Sequence, residues 1–157
     1  LKMFGIFSEG EPIKENGELV ISSSIIIGDF TERLHIPISY WSLGDYKRNW
    51  ISSLNQGIDN KKHSALAVSM YDPEFTNFIF VWVAYYHGDE AYFQHKIIFL
   101  NECQNFTPEN INNFIGERET HNNDGMRISE WATDLNSVIT FLASLRQHKF
   151  GDGVKIT

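Results

Sequence analysis

A single cysteine, Cys103, is all the thiol that this 157-residue chain holds. An internal disulfide is therefore excluded, and one thiol fits a reducing compartment. The longest apolar run, Phe78 to Tyr86, has nine residues, far short of the roughly 20 that a membrane-spanning helix needs. No basic start followed by an apolar centre and a small-residue cleavage site is present, so the chain reads as soluble and unexported. Met3-Phe4-Gly5 reads as a natural start, with Leu1 and Lys2 as an addition ahead of it. There is no glycine-rich phosphate loop, no Gly-x-Ser-x-Gly elbow, no pair of Cys-x-x-Cys motifs and no His-Glu-x-x-His. Repeats, low-complexity segments and a linker between domains are also missing.

What is present is an ordinary globular composition, 42% hydrophobic and 21% charged, with a large aromatic share. A chain of this length forms one domain and buries roughly two-thirds of its unfolded surface. Residues 8–18 are polar and contain Gly10, Pro12 and Gly17, which reads as a loop. Glu18 to Phe30 suits one strand or two short ones. Apolar residues at 34, 36, 38 and 40 mark a half-buried strand over 34–41, with Pro37 near an edge or bulge. Ser42 caps a helix over 44–55 with Leu43, Tyr46, Trp50 and Leu54 on its apolar face, ended by Gly57 and the run Asp59 to Lys62.

Three consecutive strands follow at 63–71, 76–87 and 91–100. Asp72-Pro73-Glu74 makes the first turn and Gly88-Asp89-Glu90 a tight hairpin. Phe78 to Val83 is apolar on both faces, so helices must cover part of that sheet. Thr107-Pro108-Glu109 opens a short helix with Ile111, Phe114 and Ile115 inward. A polar loop spans 116–127, a short strand 128–131, and Thr133 caps a last helix with Leu135, Val138, Leu142 and Leu145 on one face. The expected fold is α+β: a single domain over 3–148 with a mainly antiparallel β-sheet and about three helices, then a frayed tail over 149–157.

Charge is the one uneven property. Between residues 89 and 134 nine acids stand against three bases, a local −6 out of the chain's −7. Such a field repels phosphates and steers a basic partner toward it; the alternative is a solvated surface that serves solubility. Chemistry is scarce by comparison. Cys103 follows a strand beside Glu102, which raises a thiol pKa when close, so a structural thiol is the default. The six histidines lack zinc spacing, and His121 to Asp124 lacks the alternating acids of a calcium loop. His87 and His121 read as exposed turn residues, and His35 and His95 as hydrogen-bonded sheet histidines. No metal or cofactor is expected. Tyr85, Tyr86, Tyr92 and Phe93 flank the hairpin tip as core or interface rim.

Several strings carry a family resemblance. They are Met3-Phe4-Gly5-Ile6-Phe7-Ser8 with Gly10-Glu11-Pro12, His63 to Tyr71, Thr76 to Phe80 and Pro108 to Asn112. Gly125-Met126, Ile128-Ser129-Glu130-Trp131 and Thr133 to Val138 belong with them. From Met3 to Leu145 the chain resembles the immunity proteins of bacterial contact-dependent growth inhibition systems. It is most like the one that neutralises a colicin-like RNase acting on small-subunit ribosomal RNA. The resemblance implies a cytoplasmic, non-enzymatic protein that binds the C-terminal toxin domain of an exported effector. An RNase must hold phosphates and so present a basic surface, which the acidic segment would complement. The expected contacts are Asp89 and Glu90 at the hairpin tip, then Glu117, Glu119 and Asp124 in the long loop. Glu130 and Trp131 complete the set, with core packing as the other role for Trp131. Two further function classes stay open: a small-molecule hydrolase using acid pairs in a sheet cleft, and a nucleic-acid-binding module by fold analogy. The toxin's identity and the oligomeric state are not encoded in any recognisable motif.

Overall fold

Apolar-polar alternation near the N-terminus builds a first sheet around β3 (Glu18–Ile27), where Ile21, Ser23, Ile25 and Ile27 are buried. β4 (Phe30–Pro37) lies along one side of β3, returning through the Gly28-Asp29 turn. β1 (Phe4–Ser8) and β2 (Ile13–Glu15) lie end to end along the other side, and every pairing is antiparallel. The polar stretch expected as a loop over 8–18 thus holds a short strand. Asn16 and Gly17 both take positive φ, 52° and 83°, which is the Asn-Gly hairpin turn that joins β2 to β3.

The second sheet runs β5 (His63–Ser69), β6 (Phe78–His87), β7 (Glu90–Phe99) and β8 (Trp131–Asp134), antiparallel in chain order. Between β4 and β5 lies α1 (Leu43–Asn60), opened by a capping box in which Ser42 and Asp45 exchange hydrogen bonds. Gly57 does not end this helix as expected. It is buried, and a Cβ there would meet the Ser64 hydroxyl at 2.1 Å and the His63 carbonyl at 2.2 Å. Glycine lets α1 lie against β5, and the helix ends instead at Lys61 in the left-handed conformation, φ 57°. Side chains of α1 also seal the free edge of β5. Asn49 Oδ1 accepts from Ala67 N–H at 2.9 Å and Trp50 Nε1 donates to the Ala67 carbonyl at 2.8 Å.

The computed structural model describes the backbone of residues 2–156 and the side chains of 2–147. α2 spans Leu135–Ile156; the tail expected to fray over 149–157 falls outside the residues whose side chains are described. Val138, Phe141, Leu142 and Leu145 are buried on α2. Its cap is Asp134, whose carboxylate accepts from Ser137 N–H at 3.0 Å, while Thr133 is buried inside β8.

Two expectations are corrected. Among the described residues there are two sheets rather than one, and two α-helices rather than about three. The helix expected after Thr107-Pro108-Glu109 is only a 3-10 turn at Ile111–Phe114. Its asparagines explain why: Asn110 and Asn112 spend their amides on neighbouring backbone instead of pointing to solvent from a helix. The sheets pack face to face through Phe4 on Phe93 (centroids 4.5 Å apart) and Phe30 on Trp131 (4.3 Å), with both helices closing the core.

Candidate functional site

β6 and β7 carry apolar residues on both faces, and different devices cover each face. On the inner face Trp82, Phe93 and Trp131 meet the first sheet. The outer face carries Tyr85, Tyr92, Gln94 and Ile98, and the cover there is the irregular segment from Leu100 to Glu130 rather than a helix. Asn112 pins its first part: Oδ1 accepts from Ala65 N–H at 2.7 Å and from the Ser53 hydroxyl at 3.0 Å, and Nδ2 donates to the Ser53 carbonyl. His63 Nε2 bonds the Asn112 carbonyl at 2.9 Å.

An ion pair pins the second part. Arg118 lays its guanidinium 4.0 Å from the Tyr92 ring centroid and grips Glu130 with two bonds, Nε to Oε2 at 2.8 Å and Nη2 to Oε1 at 2.5 Å. Gln94 Nε2, from β7, donates both to Glu130 Oε2 and to the Glu119 carbonyl, each at 2.8 Å. The Glu130 side chain is 10% exposed and that of Arg118 29%. Arg118, then Gln94, holds the Glu130 carboxyl below the usual range against the opposing effect of burial. Tyr85 lies beneath, its hydroxyl pushed up to about 12 by burial, then by Glu119 and Glu130.

From this base the chain projects as a small hairpin. Ile128 N–H donates to the Thr120 carbonyl, His121 pairs with Arg127, and Asn122 N–H donates to the Met126 carbonyl. Asn122 Oδ1 closes the tip by accepting from the Asp124 and Met126 amides at 2.9 and 3.0 Å, and Gly125 supplies the positive φ of 79°. Met126 is 65% exposed at that tip.

The sequence-derived contacts separate on this frame. Glu117, Glu119 and Asp124 are exposed on the outer-face segment and its hairpin. Asp89 is exposed at the β6–β7 turn, where its carbonyl accepts from Leu135 N–H, and Glu90 pairs in register with Asp134. Glu130 is held by Arg118. Trp131 is half-buried on the inner face against Phe30. The acids are not continuous: a cleft of about 600 Å³ beside Glu117 is lined by Lys61, Lys62, His63, His87 and Arg118. Sequence reading missed Arg118, Gln94, Asn112 and Asn122, the residues that place the loop. Only the Asn122-Asn123-Asp124-Gly125 turn string carried a signal for any of them.

The Cys103 thiol is pushed up by burial, then by Glu102, and its Sγ donates to the Phe99 carbonyl. Among the described residues no cluster of three His, Cys, Asp or Glu is arranged around a common point. His35 bonds Glu15 at 2.9 Å. His95 stacks on Phe80, and among the described residues its ring makes no hydrogen bond, a departure from its expected role. No helix among the described residues is long and apolar enough to cross a membrane.

Comparison with known proteins places this frame. A family profile described as the CdiI N-terminal domain matches residues 36–141. The chain is 61% identical over 143 residues to the "Immunity protein CdiI" of Enterobacter cloacae subsp. cloacae, spanning 91% of this chain and 99% of that protein. It also superposes on a chain of the solved "CdiA-CT/CdiI toxin and immunity complex from Enterobacter cloacae". There the TM-score is 0.88 and the identity 60%, over 92% of this chain and 99% of the other. The profile covers more than half of the chain and the identity runs through both sheets and both helices: the chain belongs to the CdiI immunity-protein family.

Proposed function

We propose that this chain binds and neutralises the C-terminal toxin domain of a CdiA effector in the cytoplasm of the cell that makes both, by occupancy and without catalysis. The observation that carries the reading is near-full-length identity with an immunity protein whose relative is solved together with its toxin. The acidic outer-face segment supports a finer reading. Its partner presents a basic surface, as a nuclease acting on ribosomal RNA must, and Glu117, Glu119 and Asp124 on the loop, with Asp89 and Glu90 at the neighbouring turn, face that surface. Exposed charges of this kind steer encounter more than they deepen affinity.

Surface-plasmon kinetics against the paired toxin domain, run from low to high salt, test the reading. The association rate constant is expected to fall steeply as ionic strength rises, with a smaller change in dissociation. A flat association rate contradicts the steering role, and no complex at any salt contradicts the function.

A further inference from the structure

β8 covers less than half of β7. All ten residues of β7 pair with β6, but only Glu90 to Phe93 pair with β8. Upstream of Trp131 the chain turns away at Glu130 and pairs with itself in the projecting hairpin. The ladder phase tells which backbone groups this leaves open. Leu100 N–H bonds the Asn77 carbonyl across the β6 side, so the even-numbered residues of β7 point their amides and carbonyls at β6. The odd-numbered ones point outward. Phe99 agrees, because its carbonyl accepts from Cys103 Sγ on the outer side. The amides of His95, Ile97 and Phe99 and the carbonyls of His95 and Ile97 therefore face outward. No hydrogen bond among the described residues takes them up.

An edge of this length is normally blunted by proline, a bulge or inward charge. Here the exposed side chains are His95, Ile97 (49% exposed) and Phe99 (46%). Alongside runs a groove of about 490 Å³ between Lys96 to Phe99 and the covering segment at Asn113 to Gly116, with Glu102 on its wall. Acids flank it on both sides of the sheet. Glu32 is close enough to His95 to oppose the burial that lowers that imidazole's pKa, and Glu119 is anchored over Gln94. Among the described residues Glu32, Glu102 and Glu119 have no ion-pair partner, whereas Lys96 turns its Nζ to the Tyr85 ring. A second copy of this chain would bring the same negative field to the edge; a cationic segment would be drawn in.

We infer that the open edge of β7 from His95 to Phe99 receives an extended, basic segment of the toxin domain as an added antiparallel strand, in line with β8. Backbone bonds to His95, Ile97 and Phe99 supply a pairing that tolerates sequence change, and Ile97 and Phe99 pack against alternate residues of the incoming strand. The inference rests on the toxin-binding reading and specifies its geometry.

Amide hydrogen exchange on the wild-type protein, free and saturated with the paired toxin domain, tests it. Lys96 and Ile98 are expected to be protected in both states, and His95, Ile97 and Phe99 only in the complex. The variant Ile97→Pro removes an outward donor without touching the β6 ladder and is expected to weaken binding about 100-fold or more. Ile97→Ala, which keeps the backbone donor, is expected to weaken it about tenfold. A complex in which the three odd-numbered amides keep exchanging overturns the strand-addition geometry and leaves toxin binding standing. Protection that appears in the free protein as its concentration rises overturns it in favour of self-pairing. Absence of a complex with wild-type protein overturns the toxin-binding reading as well.

Discussion

The two faces of the β5–β8 sheet are covered by opposite means. Inside, aromatic rings meet aromatic rings, and shape does the work: Phe4 on Phe93, Phe30 on Trp131, Trp50 near Phe141. Outside, an irregular segment is tied down at a few polar points: Asn112 to the edge of β5, Arg118 and Gln94 to Glu130, Asn122 to its own turn. The inner face determines whether the chain folds. The outer network determines where the exposed acids stand, because a loop without regular hydrogen bonds holds its course only as well as its anchors do.

Substitutions on the two faces should separate these roles. The largest effect is expected inside. Trp50→Ala removes a buried ring and its bond to the Ala67 carbonyl, and a loss of about 4 kcal/mol in urea unfolding is expected. Toxin affinity is expected to be near wild type in the fraction that remains folded. Gly57→Ala, which drives a methyl into Ser64 and His63, is expected to destabilise the same way by about 3 kcal/mol.

Arg118→Ala acts on the outer face. It leaves Glu130 unpaired in a mostly covered position, and a loss of about 2 kcal/mol is expected, together with slower toxin association as the loop loosens. The pH dependence identifies the cause. The folded Glu130 carboxyl sits below its ordinary range because of Arg118, so the unfolded chain takes up the proton more readily. Its contribution is complete above the usual glutamate pKa of about 4.3 and is lost as pH falls through the lower, folded value. Urea midpoints measured from pH 6 down to pH 3 are expected to fall less steeply in Arg118→Ala than in wild type. Parallel curves would remove the ion pair as the source. Asn122→Ala, which frees only the hairpin tip, is expected to cost about 1 kcal/mol or less and to increase amide exchange at Asp124 and Met126.

Much of the frame was readable in advance. The Ile-, Val- and Ser-rich stretch 18–30, read as one strand or two short ones, the hydrophobic centre at 78–83 and the Ser42 cap each rest on local physics; the first holds one strand over Glu18–Ile27, and the other two form as expected. The failures share a cause as well. Gly57 reads as a terminator until β5 lies against it. Thr107-Pro108-Glu109 reads as a helix start until Asn112 is claimed by the β5 edge. Trp131 and Glu130 are adjacent in sequence but serve opposite faces, a split that alternation gives only once β8 is placed at Trp131–Asp134 rather than at 128–131. Long-range partners decided each of these, and one sequence does not display them. The acidic segment was visible from charge alone. The pairing of Glu130 with Arg118 and the basic cleft at Lys61 and Lys62 were not.

Reversal of Glu117, Glu119 and Asp124 to lysine in one variant tests the central claim most directly, with the toxin dissociation constant and the melting temperature measured on the same preparation. The three side chains are exposed and outside the Arg118–Glu130–Gln94 network. The melting temperature is therefore expected to stay within a few degrees of wild type, while the dissociation constant rises about 100-fold, chiefly through slower association. An unchanged dissociation constant in a normally folded variant would contradict the claim that this acidic loop meets the toxin.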